Sequence, residues 1–155
     1  MDITTTISFA IEPFEGTHAA TPMLDGISLV ELVSAFERKM GFDVVGGYGG
    51  LIPQWFNYGS LNRYFLGDFE PDSFFAKKGG IYLLGCDCGE VGCWPLSARI
   101  ETDNHNVKWV EFRQEHRPQW DYLGFGPFVF DKDQYKQAVA MLRDELSAFS
   151  SSSCT

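Results

Sequence analysis

The sequence predicts an α+β fold: a mostly antiparallel sheet of four or five strands with two main helices packed on it. Three observations lead there. Residues 3–12 alternate with period 2; two capped segments, 28–40 and 132–148, carry apolar residues at helical spacing; and three short runs between residues 80 and 114 follow one another as a meander.

In residues 3–12, Ile3, Thr5, Ile7, Phe9 and Ile11 fall on one face and Thr4, Thr6, Ser8, Ala10 and Glu12 on the other. That is the pattern of a strand with one buried side. Pro13 is expected to end it, and residues 13–27, with two Pro and two Gly, to form a connecting loop. Ser28-Leu29-Val30-Glu31 has the form of a capping box. Leu29, Leu32, Val33, Phe36 and Met40 then hold helical spacing, Arg38 and Lys39 suit the last turn, and Gly41 supplies the stop.

Residues 41–62 hold six Gly and one Pro but a single charge, Asp43, and predict a winding loop. A short helix over 60–66 closes it. Strands are expected over 80–86, 94–101 and 107–114, the last after the turn Asp103-Asn104-His105-Asn106. A second loop, 115–127, leads to a brief strand at 128–130. Asp131-Lys132-Asp133-Gln134 is a second capping signal, and Tyr135, Ala138, Val139, Leu142, Leu146 and Phe149 form the core-facing stripe of helix 132–148. No repeat or composition break divides the chain, so residues 1–149 are expected as a single α+β domain and 150–155 as a flexible tail.

Of the 155 residues, 45% are hydrophobic and 15% aromatic, which excludes intrinsic disorder for most of the chain. Twelve Lys+Arg against 21 Asp+Glu leave a net charge of −9. That sign repels phosphate backbones and argues against nucleic acid, while attracting basic proteins. No basic leader with an apolar core is visible, and no apolar run is long enough to span a bilayer. Three of the four cysteines crowd into eight residues rather than spreading as a disulfide framework, so a reduced, cytoplasmic protein is expected.

That crowded segment, Gly85-Cys86-Asp87-Cys88-Gly89-Glu90-Val91-Gly92-Cys93-Trp94-Pro95, is the most specific chemical feature. Cys86, Cys88 and Cys93 could hold zinc or an iron–sulfur cluster, with His105, His116 or the distant Cys154 as the fourth ligand and His116 as the candidate taken. Against this, no C-x₂-C pair is present, and small thiols in a glycine-turned loop also pack as apolar groups. A third reading is redox: Cys88 and Cys93 could close a disulfide, provided the loop folds back. His116 with Asp121 near the cysteines is the one arrangement that could form a Cys–His–Asp set. Gly46-Gly47-Tyr48-Gly49-Gly50 matches neither phosphate-binding glycine pattern, though the aromatic loop 46–59 suits a shallow ligand pocket.

Charge is distributed unevenly. The first 37 residues carry Asp2, Glu12, Glu15, Asp25, Glu31 and Glu37 and no base; residues 64–76 carry Asp68, Glu70 and Asp72 among Phe65, Phe69, Phe74 and Phe75. Such stretches form a solvated acidic face or a docking surface on which carboxylates steer and aromatics anchor. Asp68, Phe69, Glu70, Asp72 and Phe74, with Tyr48 and Trp55 from the glycine loop, are the candidate partner-binding residues.

The run LLGCDCGEVGCWPL, followed by VKWVEFRQEHRPQWDY and GPFVFDKDQY, resembles small uncharacterised bacterial cytosolic proteins over roughly residues 80–137. No activity comes with that resemblance. In size, acidity and lack of a leader, the chain is similar to immunity proteins of bacterial toxin–immunity systems. The likeness implies a non-enzymatic acidic binding protein without cofactor that neutralises a basic toxin domain such as a nuclease. The alternative is a small zinc protein or enzyme built on the cysteine cluster.

Overall fold

The computed structural model describes residues 4–152, the last three by their backbone alone. It is an α+β structure with two antiparallel sheets. The smaller has the order β1-β2-β3, from β1 (Ile7–Phe14), β2 (Thr17–Leu24) and β3 (Ile27–Ser28). The larger has the order β4-β5-β6-β7-β8, from β4 (Tyr48–Gly49), β5 (Ile81–Cys86), β6 (Leu96–Thr102), β7 (Asn106–Gln114) and β8 (Phe128–Asp131). The helices are α1 (Leu29–Met40), α2 (Leu61–Phe65), α3 (Phe74–Lys78) and α4 (Lys132–Ser152). None of those described is long and apolar enough to cross a membrane.

The smaller sheet corrects the expected loop over 13–27. Glu15 and Gly16 have φ of 45° and 81°, and Asp25 and Gly26 have 51° and 81°. Two positive-φ residues in a row make the tight hairpin turns whose twist matches paired strands. The chain therefore doubles back into β2 after Phe14 and into β3 after Leu24. Pro13 does not end β1; it pairs with His18 on an edge strand, where a missing N–H is tolerated. The expected strand 3–12 is thus displaced to Ile7–Phe14, and Ile3 lies outside the described residues.

Both long helices form where their caps place them. Ser28 accepts from the Val30 N–H at 3.1 Å, one residue earlier than a capping box requires, and Gly41 takes the left-handed conformation at φ 72°. Asp131 accepts from the Gln134 N–H at 3.0 Å. The Gln134 side chain does not reach back to the cap. Its amide instead donates to the Ile7 carbonyl at 2.7 Å and accepts the Ile7 N–H at 3.1 Å, tying α4 to β1. Asp131→Ala is expected to cost about 1 kcal/mol in urea unfolding; an unchanged midpoint would mean that the Gln134–Ile7 pair alone sets where α4 begins.

Helix α4 packs on β1, α2, β7 and β8, whereas α1 packs chiefly on β2 and β3. Between them lies a core in which Trp109, Tyr64, Tyr135, Phe65 and Phe130 are fully buried. Two of its tyrosine hydroxyls are paired, while that of Tyr58 is buried without a partner. Trp109 Nε1 donates to the Tyr135 hydroxyl at 3.0 Å, which donates to the Phe65 carbonyl at 2.6 Å; Tyr64 donates to the Tyr82 carbonyl at 2.6 Å. The two sheets are stitched by the Thr5 N–H to the Val129 carbonyl, 2.7 Å, and by a reciprocal bridge between Ala20 and Leu51.

Two smaller differences concern the far ends of elements. Phe149, expected on the buried stripe of α4, is 41% exposed and stacks on His18 at 3.8 Å. The serine-rich end begins inside α4, whose backbone is helical through Ser152, and residues 153–155, with Cys154, lie outside those described.

Candidate functional site

One end of the molecule gathers three loops that are far apart in sequence. Their foundation is a carboxylate. Glu37 lies on the inner stripe of α1, four residues after Val33 and eight after Leu29, and is fully buried. One of its oxygens accepts the Gly46 N–H at 2.9 Å; the other accepts the hydroxyls of Tyr48 and Tyr122, each at 2.6 Å. Gln114 Nε2 donates to the Tyr48 hydroxyl at 3.1 Å. Burial, followed by the neighbouring Glu37, holds both phenols far above the usual tyrosine range, so they remain donors. This network fixes loop 41–47, the start of β4, the end of β7 and loop 115–127 against one helix.

Above it the loops grip one another. Trp94 Nε1 donates to the Gly46 carbonyl at 2.8 Å, and the Asp87 N–H to the Gly47 carbonyl at 2.9 Å. Gly46 and Gly47 sit at φ 72° and 83°, where a side chain is disfavoured. Phe42 stacks on Trp120 with ring centres 4.3 Å apart, and the Arg117 guanidinium lies over both Trp94 and Trp120. Arg117 also faces Asp43 at 3.7 Å. The His116 ring lies parallel to Trp94, with its Nε2 on the Gly92 carbonyl at 2.7 Å.

The cysteine segment is a folded-back turn. The Gly89 N–H returns to the Cys86 carbonyl at 3.0 Å and the Cys93 N–H to the Glu90 carbonyl at 3.1 Å, while Gly89 is packed beneath Trp55 and Phe14. Cys86, Cys88 and Cys93 are all free thiols, the last two exposed. The Cys88 N–H points at the Cys86 sulfur at 3.4 Å, and the Glu90 backbone, followed by the neighbouring Cys86 and Cys93 thiols, draws the exposed Cys88 thiol below its ordinary value. Burial pushes Cys86 up to about 11.

These positions decide what the sequence-predicted residues meet. Among the described residues no three His, Cys, Asp or Glu side chains are arranged to hold a metal ion. A carbonyl only accepts, so His116 donates through Nε2 and that nitrogen has no lone pair for zinc. Nor does Asp121 orient His116: its Oδ1 accepts the Leu123 N–H at 2.8 Å, a local turn. In the acidic segment, Arg63 pairs with both Asp68 and Glu70, at 3.3 and 3.4 Å. Phe69 is turned in against Tyr64 and Phe75, Asp72 is exposed, and Phe74 is 58% exposed. Tyr48 is only 5% exposed and spends its hydroxyl on Glu37, so it offers no face to a partner. Trp55 is 41% exposed, but its ring covers Gly89. A cavity of about 530 Å³ does lie beside the aromatic loop, under residues 53–59 rather than under the glycines, with His18 and Arg143 on its walls.

Glu37, Gln114 and Tyr122 escaped the sequence reading. For Glu37 a signal existed: it falls on the same helical stripe as Leu29 and Val33, where a lone acid is either buried with partners or breaks the pattern. No family model matches the chain, and neither a curated protein nor a solved structure is significantly similar to it.

Proposed function

We propose that this chain is a non-enzymatic binding domain for a cationic protein, acting as an immunity protein does toward a basic toxin such as a nuclease. The observation that carries the reading is the composition of the three-loop end. Asp43, Asp87, Glu90 and Asp121 are exposed on it, beside the exposed apolar side chains Val44, Val45 and Leu123. Leu123 is 87% exposed, an unusual placement for a leucine with no partner to cover it. Carboxylates there steer a basic surface in, and apolar tips on a braced backbone anchor it at low entropic cost. Glu37 is the one acid among the buried described residues and Glu115 is largely covered in its pair with Lys78, whereas Asp43, Asp87, Glu90 and Asp121 stand where a partner can meet them. The docking surface is placed on these loops rather than on Asp68–Phe74, where Asp68 and Glu70 already face Arg63.

The test is capture from the source cells with the tagged full chain, at low and at physiological salt, followed by mass spectrometry and affinity measurement. The expected result is a stoichiometric basic protein whose binding weakens with salt and falls at least about tenfold in Asp87→Lys and in Leu123→Asp. Recovery of no such protein at either salt, or equal binding by both variants, overturns the reading.

A further inference from the structure

The cavity of about 530 Å³ under residues 53–59 is walled by the start of β2, by that loop and by the second half of α4. It shares no residue with the three-loop end. The chain carries 21 Asp+Glu against 12 Lys+Arg, yet no Asp or Glu is among the described residues that line this cavity. Donors line it instead. Thr17 Oγ1 donates to Gln54 Oε1, which turns the oxygen of that amide to the protein and leaves its NH₂ unengaged among the described residues. Asn57 is oriented the same way, its Oδ1 accepting the Gly59 N–H at 2.9 Å. Arg143 rests on Asp144 through Nε and one amino group, at 3.1 and 3.0 Å. Its second amino group has no ion pair among the described residues.

Flat and apolar side chains make the rest of the wall. The rings of His18 and Phe149 lie nearly parallel, 14° apart in plane and 3.8 Å between centres, and the Tyr58 ring, Pro53 and Leu146 line the same space. The volume falls within the roughly 300–1,000 Å³ of small-molecule sites, which also combine apolar walls with a few polar groups. We propose that this cavity binds a small organic anion, an arenecarboxylate whose ring lies against the His18–Phe149 pair. Its carboxylate would accept from the Arg143 guanidinium and from the amide NH₂ groups of Gln54 and Asn57.

The ligand class follows from what the wall offers. A cation would meet a guanidinium with no lining carboxylate to offset it, and a neutral ligand would leave the strongest donor unused. Inorganic phosphate would satisfy donors but leave the apolar half of the wall uncovered. A single guanidinium, already leaning on Asp144, balances one negative charge better than two, which favours a carboxylate over a phosphate group. The chain's overall charge of −9 does not forbid this. At physiological salt its field is screened beyond about 8 Å, so the nearby donors decide.

The inference does not depend on the docking reading, and its readout is the binding of a small molecule. The full chain is titrated calorimetrically with naphthalene-2-carboxylate, with the neutral naphthalene-2-carboxamide and with inorganic phosphate. The carboxylate is expected to bind with a Kd of roughly 0.1 mM, and the carboxamide and phosphate at least about tenfold more weakly. Gln54→Glu is the sharpest variant. Its carboxylate still accepts from Thr17 but sets a negative charge where the NH₂ stood, so binding of naphthalene-2-carboxylate is expected to fall at least about tenfold. Arg143→Gln is expected to weaken it by at least as much. Both positions are exposed, and circular dichroism checks that the fold is retained. No binding of the carboxylate, equal binding of the carboxamide or of phosphate, or unchanged affinity in either variant overturns the proposal.

Discussion

Glu37→Leu is expected to lower the unfolding free energy by about 3–5 kcal/mol, the largest loss from a single substitution on α1. The side chain fits the space, so the cost is not one of volume. It comes from leaving the Gly46 N–H and the hydroxyls of Tyr48 and Tyr122 buried without their acceptor. Each orphaned donor costs roughly 1–3 kcal/mol, and relaxation of the loops recovers part of the sum. Glu37→Gln keeps one carbonyl acceptor and turns an amide toward the remaining donors, so about 1–3 kcal/mol is expected. Tyr122→Phe removes one donor and leaves the carboxylate two, which places it lowest, near 1 kcal/mol on the scale of a typical hydrogen bond. Urea unfolding followed by tryptophan fluorescence ranks the three. Should Glu37→Leu lie within about 1 kcal/mol of the native chain, the network does not brace the loops. If that variant fails to fold, the order of the two milder ones still decides.

Gly89→Ala is expected to cost about 2–3 kcal/mol, whereas Gly92→Ala, three residues away on the same turn, is expected to change stability by less than about 0.5 kcal/mol. The contrast follows from what a methyl group would meet. At Gly89 it would lie 2.4 Å from Trp55 Cζ3 and 2.8 Å from Phe14 Cε1, on a backbone at φ 97°. At Gly92 nothing stands within 4 Å. Trp55 is partly exposed and can swing outward, so adding Trp55→Ala should relieve the collision and leave the backbone strain. A Gly89→Ala variant as stable as Gly92→Ala would mean that the turn does not fold back beneath Trp55.

Much of the fold was legible because it is written in short-range spacing. Helix α1 follows from Ser28, the stripe Leu29–Val33 and Gly41, and α4 from Asp131 and its own stripe, since each interaction spans four residues or fewer. The strands β5, β6 and β7 were found within two residues of their ends. Helix α3 was not, because five residues cannot display a helical period, even with Ser73 and Gly79 at its ends. Strand β2 was missed for the opposite reason. Glu15-Gly16 and Asp25-Gly26 are hairpin turns, but Pro13 and Pro22 between them read as loop until β1 supplies a partner.

The site divides along the same line. Sequence alone determined that three clustered thiols, two capped amphipathic helices and two aromatic loops are present, together with a surplus of carboxylates. Only the tertiary structure decided which acid goes inside, which acids face Arg63, and that His116 Nε2 meets the Gly92 carbonyl. The physical reason is separation. Glu37 meets Tyr122 across 85 residues and Tyr48 meets Gln114 across 66, and contacts of that length exist only once both sheets have closed.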